Sequence, residues 1–266
     1  MGYPLTTPLG RMGVITERED PALCIGSIPV SGLCNPLTGR PTIAPVALLV
    51  DHIGGLVNHL RRGPDEWTLS TELAIEFTPE AMDLIQATRA EPVVATGRPL
   101  GPKRPGLLSV CELTHGGRQI GTATVRSFHN HVPGHVVTWP DDSSDGTLPA
   151  TLQDRLSVEI AESGGNATVL RQLDDPVVNN TLGIVHGGMS AAALELVANA
   201  ALNTQPDRPM WTASLRVNVL RQFRGGRTAR YEATVVRAGR NTGVADATAI
   251  GDDGSVALQA RLTAYR

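Results

Sequence analysis

The sequence predicts an α+β protein made of two similar halves, each a curled antiparallel sheet packed around one long helix. Three observations predict it: an internal repeat with a constant spacing, a proline-rich break near the middle of the chain, and the same order of elements on either side of that break. The 266 residues are enough for one large domain or two of about 130. With 41% hydrophobic and 18% charged residues, the chain has the composition of a globular protein.

The repeat is visible in residues of the same or similar type that recur 144 positions later. They are Gly39 and Gly183, Asp51 and Glu195, and Trp67 and Trp211. The words that begin at the two tryptophans, WTLS and WTAS, agree as well. The halves also end in the related segments GRQIGTATVRSF (117–128) and GSVALQARLTAY (254–265), at a slightly shorter spacing. A spacing shared by several matches indicates duplication of one structural unit.

The break between the halves lies in residues 129–150, HNHVPGHVVTWPDDSSDGTLPA, which contain three prolines and no sustained periodicity. We place the boundary near Ser144. It divides the chain into an N-terminal half, residues 1–143, and a C-terminal half, residues 144–266.

In the N-terminal half, a helix is predicted over about Pro45–Arg61, because proline suits the first helical position. The strands predicted after this helix are near Leu69–Phe77, Pro92–Gly97, Gly106–Leu113 and Gln119–Phe128.

In the C-terminal half, a pair of short strands comes first, Leu156–Glu162 and Ala167–Leu173, joined by the hairpin signal Gly164-Gly165. A helix is predicted over about Gly187–Asn203. The strands predicted after it are Thr212–Phe223, Ala229–Arg237, Gly243–Ile250 and Ser255–Tyr265, and the last two are joined by the hairpin turn Asp252-Asp253-Gly254.

The helix of the C-terminal half is rich in alanine and apolar over most of its circumference, so we expect it to be buried on nearly all sides. One polar stripe interrupts it, since Glu195, Asn199 and Asn203 are four residues apart and share a face. The other helix has a similar stripe that includes Asp51. A carboxylate inside such a helix is costly unless it has hydrogen-bond partners or a chemical role.

The segment NTLGIVHGG, residues 180–188, followed by Glu195, points to chemistry at the start of this helix. Gly187 and Gly188 open the helix, where the first N–H groups lack partners and the helix dipole is positive. Such N–H groups can stabilise a developing oxyanion. We expect Glu195 to face the same cavity two turns later, and Asn180 to orient a water or the carbonyl. Together these groups suit acyl transfer to water.

The pattern Asn-x-x-Gly-x-x-His-Gly-Gly, with an acid nine residues after the His, resembles the hotdog acyl-CoA thioesterases. The nearest types are the phenylacetate-pathway and 4-hydroxybenzoyl-CoA groups. The resemblance is strong over about 180–223 and continues more weakly to the C-terminus. It implies an enzyme, an acyl-CoA thioesterase, with a tandem double hotdog fold.

The resemblance also implies roles for individual residues. Glu195 would act as nucleophile or general base, the N–H of Gly187 would polarise the thioester carbonyl, and Asn180 would place the carbonyl or water. A hydroxyl on the next strand would assist, and Thr212 and Ser214 are both candidates. The remaining motif residues are His186, which caps the helix or takes part directly, and Gly188.

The N-terminal half departs from this pattern. Thr42-Ile43-Ala44 occupies the His-Gly-Gly register, Pro36 stands where Asn180 would be, and only the acid, Asp51, is retained. We therefore expect one working site, built on the second helix, and a second, degenerate site at Asp51. On this prediction Glu195 is essential for turnover and Asp51 is largely dispensable.

Contacts to the CoA part of the substrate are open. Gly239-Arg240 ends a strand, where the arginine either binds CoA phosphates or belongs to a hairpin. Leu220-Arg221-Gln222-Phe223 replaces a stretch that commonly ends in Arg-Pro in the family. His129, His131 and His135 have the spacing of metal ligands, but they lie in the predicted linker without a fourth ligand. We expect no metal and no organic cofactor.

Two other functions remain alternatives. A hotdog hydratase or dehydratase fits poorly, because Asn35-Pro36-Leu37-Thr38 lacks the required His, and Thr181 stands where a dehydratase has one. A non-catalytic acyl-CoA binding protein is the other alternative, suggested by the degenerate motif of the N-terminal half.

Composition limits the partners. The net charge of −3 argues against a nucleic-acid binder. No apolar stretch approaches the roughly 18 residues of a membrane span, so we expect no membrane partner. The cysteines, Cys24, Cys34 and Cys111, form no disulfide framework and suit the cytoplasm. The resemblance further implies a homodimer of tandem chains, with acyl-CoA as the small-molecule substrate.

Overall fold

The computed structural model describes residues 2–88, 90–132, 146–161, 168–204 and 208–266. Its α-helices are α1 (Pro8–Met12), α2 (Pro45–His59), α3 (Ala81–Ala87), α4 (Leu152–Leu156) and α5 (Gly187–Leu202). Its strands are β1 (Ile15–Arg18), β2 (Cys24–Ile28), β3 (Glu66–Phe77), β4 (Val93–Leu100), β5 (Gly106–His115), β6 (Arg118–His131), β7 (Val158–Ile160), β8 (Thr168–Gln172), β9 (Trp211–Val219), β10 (Arg230–Ala238), β11 (Thr242–Ile250) and β12 (Val256–Tyr265).

These strands form one antiparallel sheet in the order β1-β2-β4-β5-β6-β3-β9-β12-β11-β10-β8-β7. The order in the N-terminal half is mirrored in the C-terminal half, with β3 and β9 meeting at the centre. In the pairing of these two strands, Leu73 lies opposite Val217. The two residues are one repeat length apart, as a twofold relation between the halves requires.

Each long helix packs on the strands of its own half. α2 contacts β2 to β6, α5 contacts β8 to β12, and the two helices also contact each other. Gly188 makes the close approach of the helices possible, because a Cβ there would stand 2.7 Å from Leu48 Cα. Both helices are therefore buried, and their facing sides meet where the predicted motif lies.

The two long helices agree closely with the sequence predictions. α2 begins where predicted and ends at His59 rather than Arg61, and α5 begins where predicted and ends at Leu202 rather than Asn203. Helix ends of this kind commonly differ by one or two residues between criteria.

Other boundaries differ for physical reasons. The strand predicted to reach Phe223 stops at Val219, because residues 220–223 leave the sheet and line a cavity. The strand predicted to start at Leu156 is preceded by α4, capped by the Thr151 side chain, and begins at Val158. α3 and all elements before α2 are too short to give a periodic signal and were not predicted.

Two predictions fall on residues outside the described ranges: the boundary near Ser144 and the hairpin glycines Gly164-Gly165. Among the helices of the described ranges, none has the length and apolar character needed to span a membrane.

Candidate active site

A cavity of about 930 Å³ lies between the two halves. The N-terminal half contributes parts of residues 2–9, one face of α2 and the first part of β3. The C-terminal half contributes most of residues 179–187, Ser190, residues 219–223 and Leu258. The predicted motif therefore opens into a cavity whose opposite wall comes from the other half.

The loop before α5 is shaped by Asn180. Its N–H donates to Ile184 O at 2.7 Å, and its Oδ1 accepts from Leu182 N–H at 2.9 Å. The side-chain oxygen is thus engaged in the loop itself, and the Nδ2 group is the part of Asn180 left to contact a ligand. Asn180 and its neighbours Asn179 and Thr181 all line the cavity.

His186 caps α5. Its Nδ1 accepts a hydrogen bond from Gly188 N–H at 3.1 Å. Burial lowers the pKa of His186, and the nearby Asp51 carboxylate offsets that shift only in part. A neutral ring that accepts at Nδ1 has its proton on Nε2. His186 therefore holds the start of the helix in place as a neutral cap.

Gly187 presents its backbone to the cavity. No group in the described residues accepts a hydrogen bond from its N–H, which is the first of α5. Unpaired N–H groups at the start of a helix, together with the positive end of the dipole, form an anion-stabilising site. Gly187 therefore lies at the cavity, at the first position of α5.

The acid that faces Gly187 is Asp51, from α2 of the N-terminal half. Its Oδ2 lies 3.4 Å from His186 Nδ1, and a Cβ at Gly187 would stand 3.2 Å from the same oxygen. Asp51 lines the cavity and is 7% exposed. Its Oδ1 is buried and has no hydrogen-bond partner among the described residues, and Oδ2 is the carboxylate oxygen that lies nearest Gly187 and His186.

The prediction that Glu195 faces Gly187 is wrong. Glu195 does not line the cavity, and its side chain lies against Thr42 of the N-terminal half and Thr212 of β9. Thr42 Oγ1 donates to Oε2 at 3.1 Å and Thr212 Oγ1 donates to Oε1 at 2.5 Å. Gly187 and Glu195 lie about two turns apart on α5. The side chain of Glu195 nevertheless points toward Thr42 of the other half and not into the cavity.

Glu195 is fully enclosed. Burial raises its pKa to about 7, although the hydrogen bonds from Thr212 and Thr42 oppose that shift. Thr212 in turn accepts a hydrogen bond from Asn199 Nδ2 at 3.0 Å. The polar stripe of α5 is therefore hydrogen-bonded within the protein, and these bonds offset the free-energy cost of burying polar groups.

Both acids have the same relationship to the opposite half. Asp51 approaches His186, and Glu195 is hydrogen-bonded to Thr42, which stands one repeat length before His186. The chain thus has two equivalent positions, each combining the acid of one half with the loop of the other. Only the position at Asp51 has the glycine pair at the start of the opposite helix, and it is the one that lines the cavity.

Neither predicted hydroxyl lies at the cavity. Thr212 serves Glu195, and Ser214 lies within β9 opposite Thr263 and Glu76. Three hydroxyl residues of the equivalent strand β3 line the cavity, Thr68, Ser70 and Thr71, and the first two stand one repeat length before Thr212 and Ser214. The matching words WTLS and WTAS contain this signal, and the residues at the cavity are those of the N-terminal half.

The proposed CoA contacts at Gly239 and Arg240 do not line the cavity either. They form the tight turn between β10 and β11, in which Gly239 N–H donates to Thr242 O at 2.8 Å and Arg240 O accepts from the Arg266 side chain. Of the two roles considered for Gly239 and Arg240, the structure therefore shows them in the hairpin turn. The arginine that does line the cavity is Arg221.

Two of the histidines assigned to the linker, His129 and His131, lie in β6. His129 lies 3.2 Å from Glu66 Oε2 and 3.2 Å from Asn58 O, and His135 is outside the described ranges. Within the part of the chain that the structure describes, no three His, Cys, Asp or Glu side chains are grouped as metal ligands.

His52 is a lining residue that sequence reasoning missed. Its Nε2 lies 2.9 Å from Thr16 Oγ1 and 3.1 Å from the Tyr3 hydroxyl. Burial and the neighbouring His186 lower its pKa to about 3, so the ring is neutral. Its partners precede the first predicted helix, and no pattern in the sequence pairs them with α2.

Comparison with known proteins places the motif in a family. The sequence model of the thioesterase superfamily matches residues 182–258, which extend from the loop before α5 into β12. No curated protein matches the chain in sequence.

Solved structures resemble the chain over nearly its full length. A tesB protein from Mycobacterium avium subspecies paratuberculosis has a TM-score of 0.59 at 11% identity, with 94% of this chain and 95% of that chain covered. An acyl-CoA thioesterase II from Mycobacterium marinum has a TM-score of 0.57 at 13% identity, with 94% of each chain covered. A conserved protein with a hot dog fold from Alicyclobacillus acidocaldarius has a TM-score of 0.55 at 11% identity, with 94% and 95% covered.

At these identities the structures show a shared fold, and the family match adds the thioesterase signature of the C-terminal half. The chain therefore carries a thioesterase-superfamily region within a hotdog fold, and the comparisons support an enzyme of the thioester hydrolase type.

Proposed function

We propose that the chain is a tandem double hotdog enzyme that hydrolyses an acyl-CoA thioester at one site between its halves. One observation carries the proposal: Asp51 of α2 and the unpaired N–H of Gly187 on α5 face the same cavity. An acid beside an oxyanion donor in one cavity is the arrangement that thioester hydrolysis needs.

The reaction divides between these two groups. The thioester carbonyl oxygen accepts a hydrogen bond from Gly187 N–H, and the helix dipole stabilises the charge that develops on it. The Asp51 carboxylate acts in one of two ways. As general base it takes a proton from a water that attacks the carbonyl carbon, and as nucleophile it attacks the carbon itself and the resulting anhydride is hydrolysed. In both, the C–S bond breaks: as general base, Asp51 passes the proton taken from water to the leaving sulfur, and as nucleophile it displaces a CoA thiolate, which is protonated by the proton released when water hydrolyses the anhydride.

The other lining groups support this geometry. His186 fixes Gly188 and thereby the first turn of α5, and Asn180 fixes the loop that precedes it. Ser70 supplies a hydroxyl from β3 on the same side as Asp51. These roles need no metal or organic cofactor, since the substrate carries its own leaving group and water is the second reactant.

The equivalent position at Glu195 is structural in this proposal. Its two carboxylate oxygens are taken by threonine hydroxyls, and Ile43 and Ala44 replace the glycines. Side chains at these positions fill the space that a ligand would need to reach the backbone. The tandem chain thus keeps one site and uses the second acid to join its halves.

Positive charge beside the cavity suits the anionic CoA group. Arg221 lines the cavity and is exposed, and Arg224 donates to Gly183 O at 2.7 Å at the outer side of the same loop. Arginine is well suited to phosphate. We therefore assign the CoA phosphates to the Arg221 side of the cavity, and not to Arg240.

The test is release of free CoA from a panel of acyl-CoA thioesters with short, medium and long chains and with phenylacetyl and benzoyl groups. Thiol release from at least one member, with free acid as the co-product, is the expected result. Absence of turnover, together with tight acyl-CoA binding by calorimetry, would replace the enzyme with a binding protein. Formation of a 3-hydroxyacyl-CoA from an enoyl-CoA would favour the hydratase alternative.

A further inference from the structure

The N-terminal strap, residues 2–12, closes one side of the cavity. Gly2, Tyr3, Pro4 and every residue from Thr6 to Leu9 line the cavity. The strap passes over the boundary between the halves, although no regular element was predicted for it. It is therefore a candidate for controlling which acyl groups fit.

The strap is held at both ends. Near its start, Gly2 pairs with Ile15, and Tyr3 reaches α2. Near its other end, Arg11 forms an ion pair with Asp175 at 2.7 Å and donates to Asp154 O at 2.6 Å, both in the C-terminal half. The strap is thus attached to both halves.

The shape of the strap between these ends is fixed as well. Pro4 O accepts hydrogen bonds from both the N–H and the hydroxyl of Thr7, and Thr7 Oγ1 accepts from Gly10 N–H. A Cβ at Gly10 would stand 2.0 Å from Pro4 O, so only glycine permits this fold. Because its backbone is fixed in this way, the strap gives this side of the cavity a fixed shape.

Tyr3 places an aromatic ring against His52, the residue that follows Asp51 on α2. Its ring packs edge-on against His52 at a centroid distance of 5.4 Å, and its hydroxyl lies 2.8 Å from Thr16 Oγ1 and 3.1 Å from His52 Nε2. His52 follows Asp51 on α2, about 1.5 Å further along the helix axis. Tyr3 on the strap and Asp51 on α2 therefore line the same cavity, and Tyr3 contacts the residue next to Asp51.

From Asp51 the cavity continues along α2. Asp51, Gly55 and His59 are four residues apart on α2, all line the cavity, and together span about 12 Å of the helix. The cavity reaches Trp67 and Thr68 at the far end of this face. An unbranched acyl chain can follow the helix, whereas bulk next to the carbonyl meets the strap.

We propose that Tyr3 is a specificity-determining residue whose ring, held against His52 and Thr16, limits the width of the acyl group next to the thioester carbonyl. The site then prefers unbranched acyl groups to those branched at the α-carbon. This inference rests on the proposed function, since it takes Asp51 and Gly187 as the groups that hold the carbonyl.

The test compares octanoyl-CoA with its isomer 2-ethylhexanoyl-CoA, which differ in branching and not in composition. Wild type is expected to favour the unbranched substrate. In Tyr3→Ala the ratio of kcat/KM, branched over unbranched, should rise by about tenfold, the size of effect that a change in pocket shape produces. Tyr3→Phe keeps the ring and should stay near wild type.

Tyr265→Ala, at the exposed end of β12, is the matched control and should not change the ratio. An unchanged ratio in Tyr3→Ala, or an equal rise in Tyr265→Ala, would overturn the proposal. Thermal melting verifies that each variant folds, and Tyr3→Leu replaces Tyr3→Ala if the alanine variant does not.

A second arm separates this proposal from the proposed function. The thioethers S-octyl-CoA and S-(2-ethylhexyl)-CoA cannot be hydrolysed, so their binding can be compared by calorimetry even if no substrate turns over. The branched thioether should gain affinity in Tyr3→Ala relative to the unbranched one. Failure of hydrolysis with this shift retained would contradict the thioesterase reaction alone, and absence of the shift would contradict the role of Tyr3.

Discussion

Asp51 Oδ2 lies 3.4 Å from His186 Nδ1, so the acid of one half stands beside the N-cap residue of the long helix of the other. The equivalent contact joins Glu195 to Thr42. The acid of each half thus lies against the loop of the other half, where α2 and α5 meet. Because only the C-terminal half has a glycine pair at the start of its long helix, this arrangement determines which acid faces the cavity.

The adjacent glycines of α5 should respond differently to a methyl group. A Cβ at Gly187 meets Asp51 Oδ2 at 3.2 Å, whereas a Cβ at Gly188 meets Leu48 Cα at 2.7 Å. Gly187→Ala should therefore lower kcat by about 100-fold with little change in melting temperature. Gly188→Ala should separate the helices and lower the free energy of unfolding by about 1–3 kcal/mol. Steady-state kinetics and thermal melting of both variants make the comparison, and equal effects on both readouts would refute it.

Glu195 should make stability depend on pH. Its pKa is about 7 in the folded protein, above its usual value of 4.5, so the folded state binds the proton more tightly than the unfolded state. The stabilisation is fully present below pH 4.5 and is lost as pH rises through 7. Relative to Glu195→Gln, wild type should lose on the order of 3 kcal/mol between pH 5 and pH 8. Parallel stability curves in chemical denaturation would contradict this environment.

The two serines one repeat apart provide a matched pair. Ser70 lines the cavity, and Ser214 lies in β9 away from it. Ser70→Ala should lower kcat/KM by up to about tenfold, as expected for one lost hydrogen bond. Ser214→Ala should leave kinetics near wild type. A larger loss in Ser214→Ala than in Ser70→Ala would return the working site to the C-terminal acid.

Arg221 should act on CoA and not on the acyl group. Arg221→Gln should raise KM for an acyl-CoA up to about fivefold, the scale of an exposed charge pair, and make it less sensitive to salt. The same variant should behave as wild type with an acyl-N-acetylcysteamine thioester, which has no phosphates. Arg240→Gln is the control, because Arg240 lies in the β10–β11 turn outside the cavity lining. An effect of Arg240→Gln that exceeds that of Arg221→Gln would refute this assignment.

Much of the fold could be predicted from the sequence because its signals are local or periodic. The alanine-rich run of α5, Pro45 at the start of α2 and the spacing from Asp51 to Glu195 each mark an element or a repeat without reference to the rest of the chain. The glycines at 187 and 188 likewise identify a helix start with a chemical role. These features depend on backbone preferences that act over a few residues.

The choice of acid could not be predicted in this way. Whether Asp51 or Glu195 faces Gly187 depends on the pairing of β3 with β9, which brings α2 against α5. No local spacing along α5 contains that information. The strap was missed for a related reason, since Tyr3 finds its partners on α2 and β1 and has no periodic pattern of its own.

The most direct test of this account is free-CoA release by Asp51→Asn and Glu195→Gln, assayed side by side on the best substrate of the panel at pH values where both variants are folded. We expect Asp51→Asn to lower kcat/KM by about 10²–10⁴-fold, as expected for loss of a catalytic acid or base, and Glu195→Gln to remain near wild type. Loss of turnover in Glu195→Gln with activity retained in Asp51→Asn, or equal losses in both, would contradict a single site formed by Asp51 and Gly187.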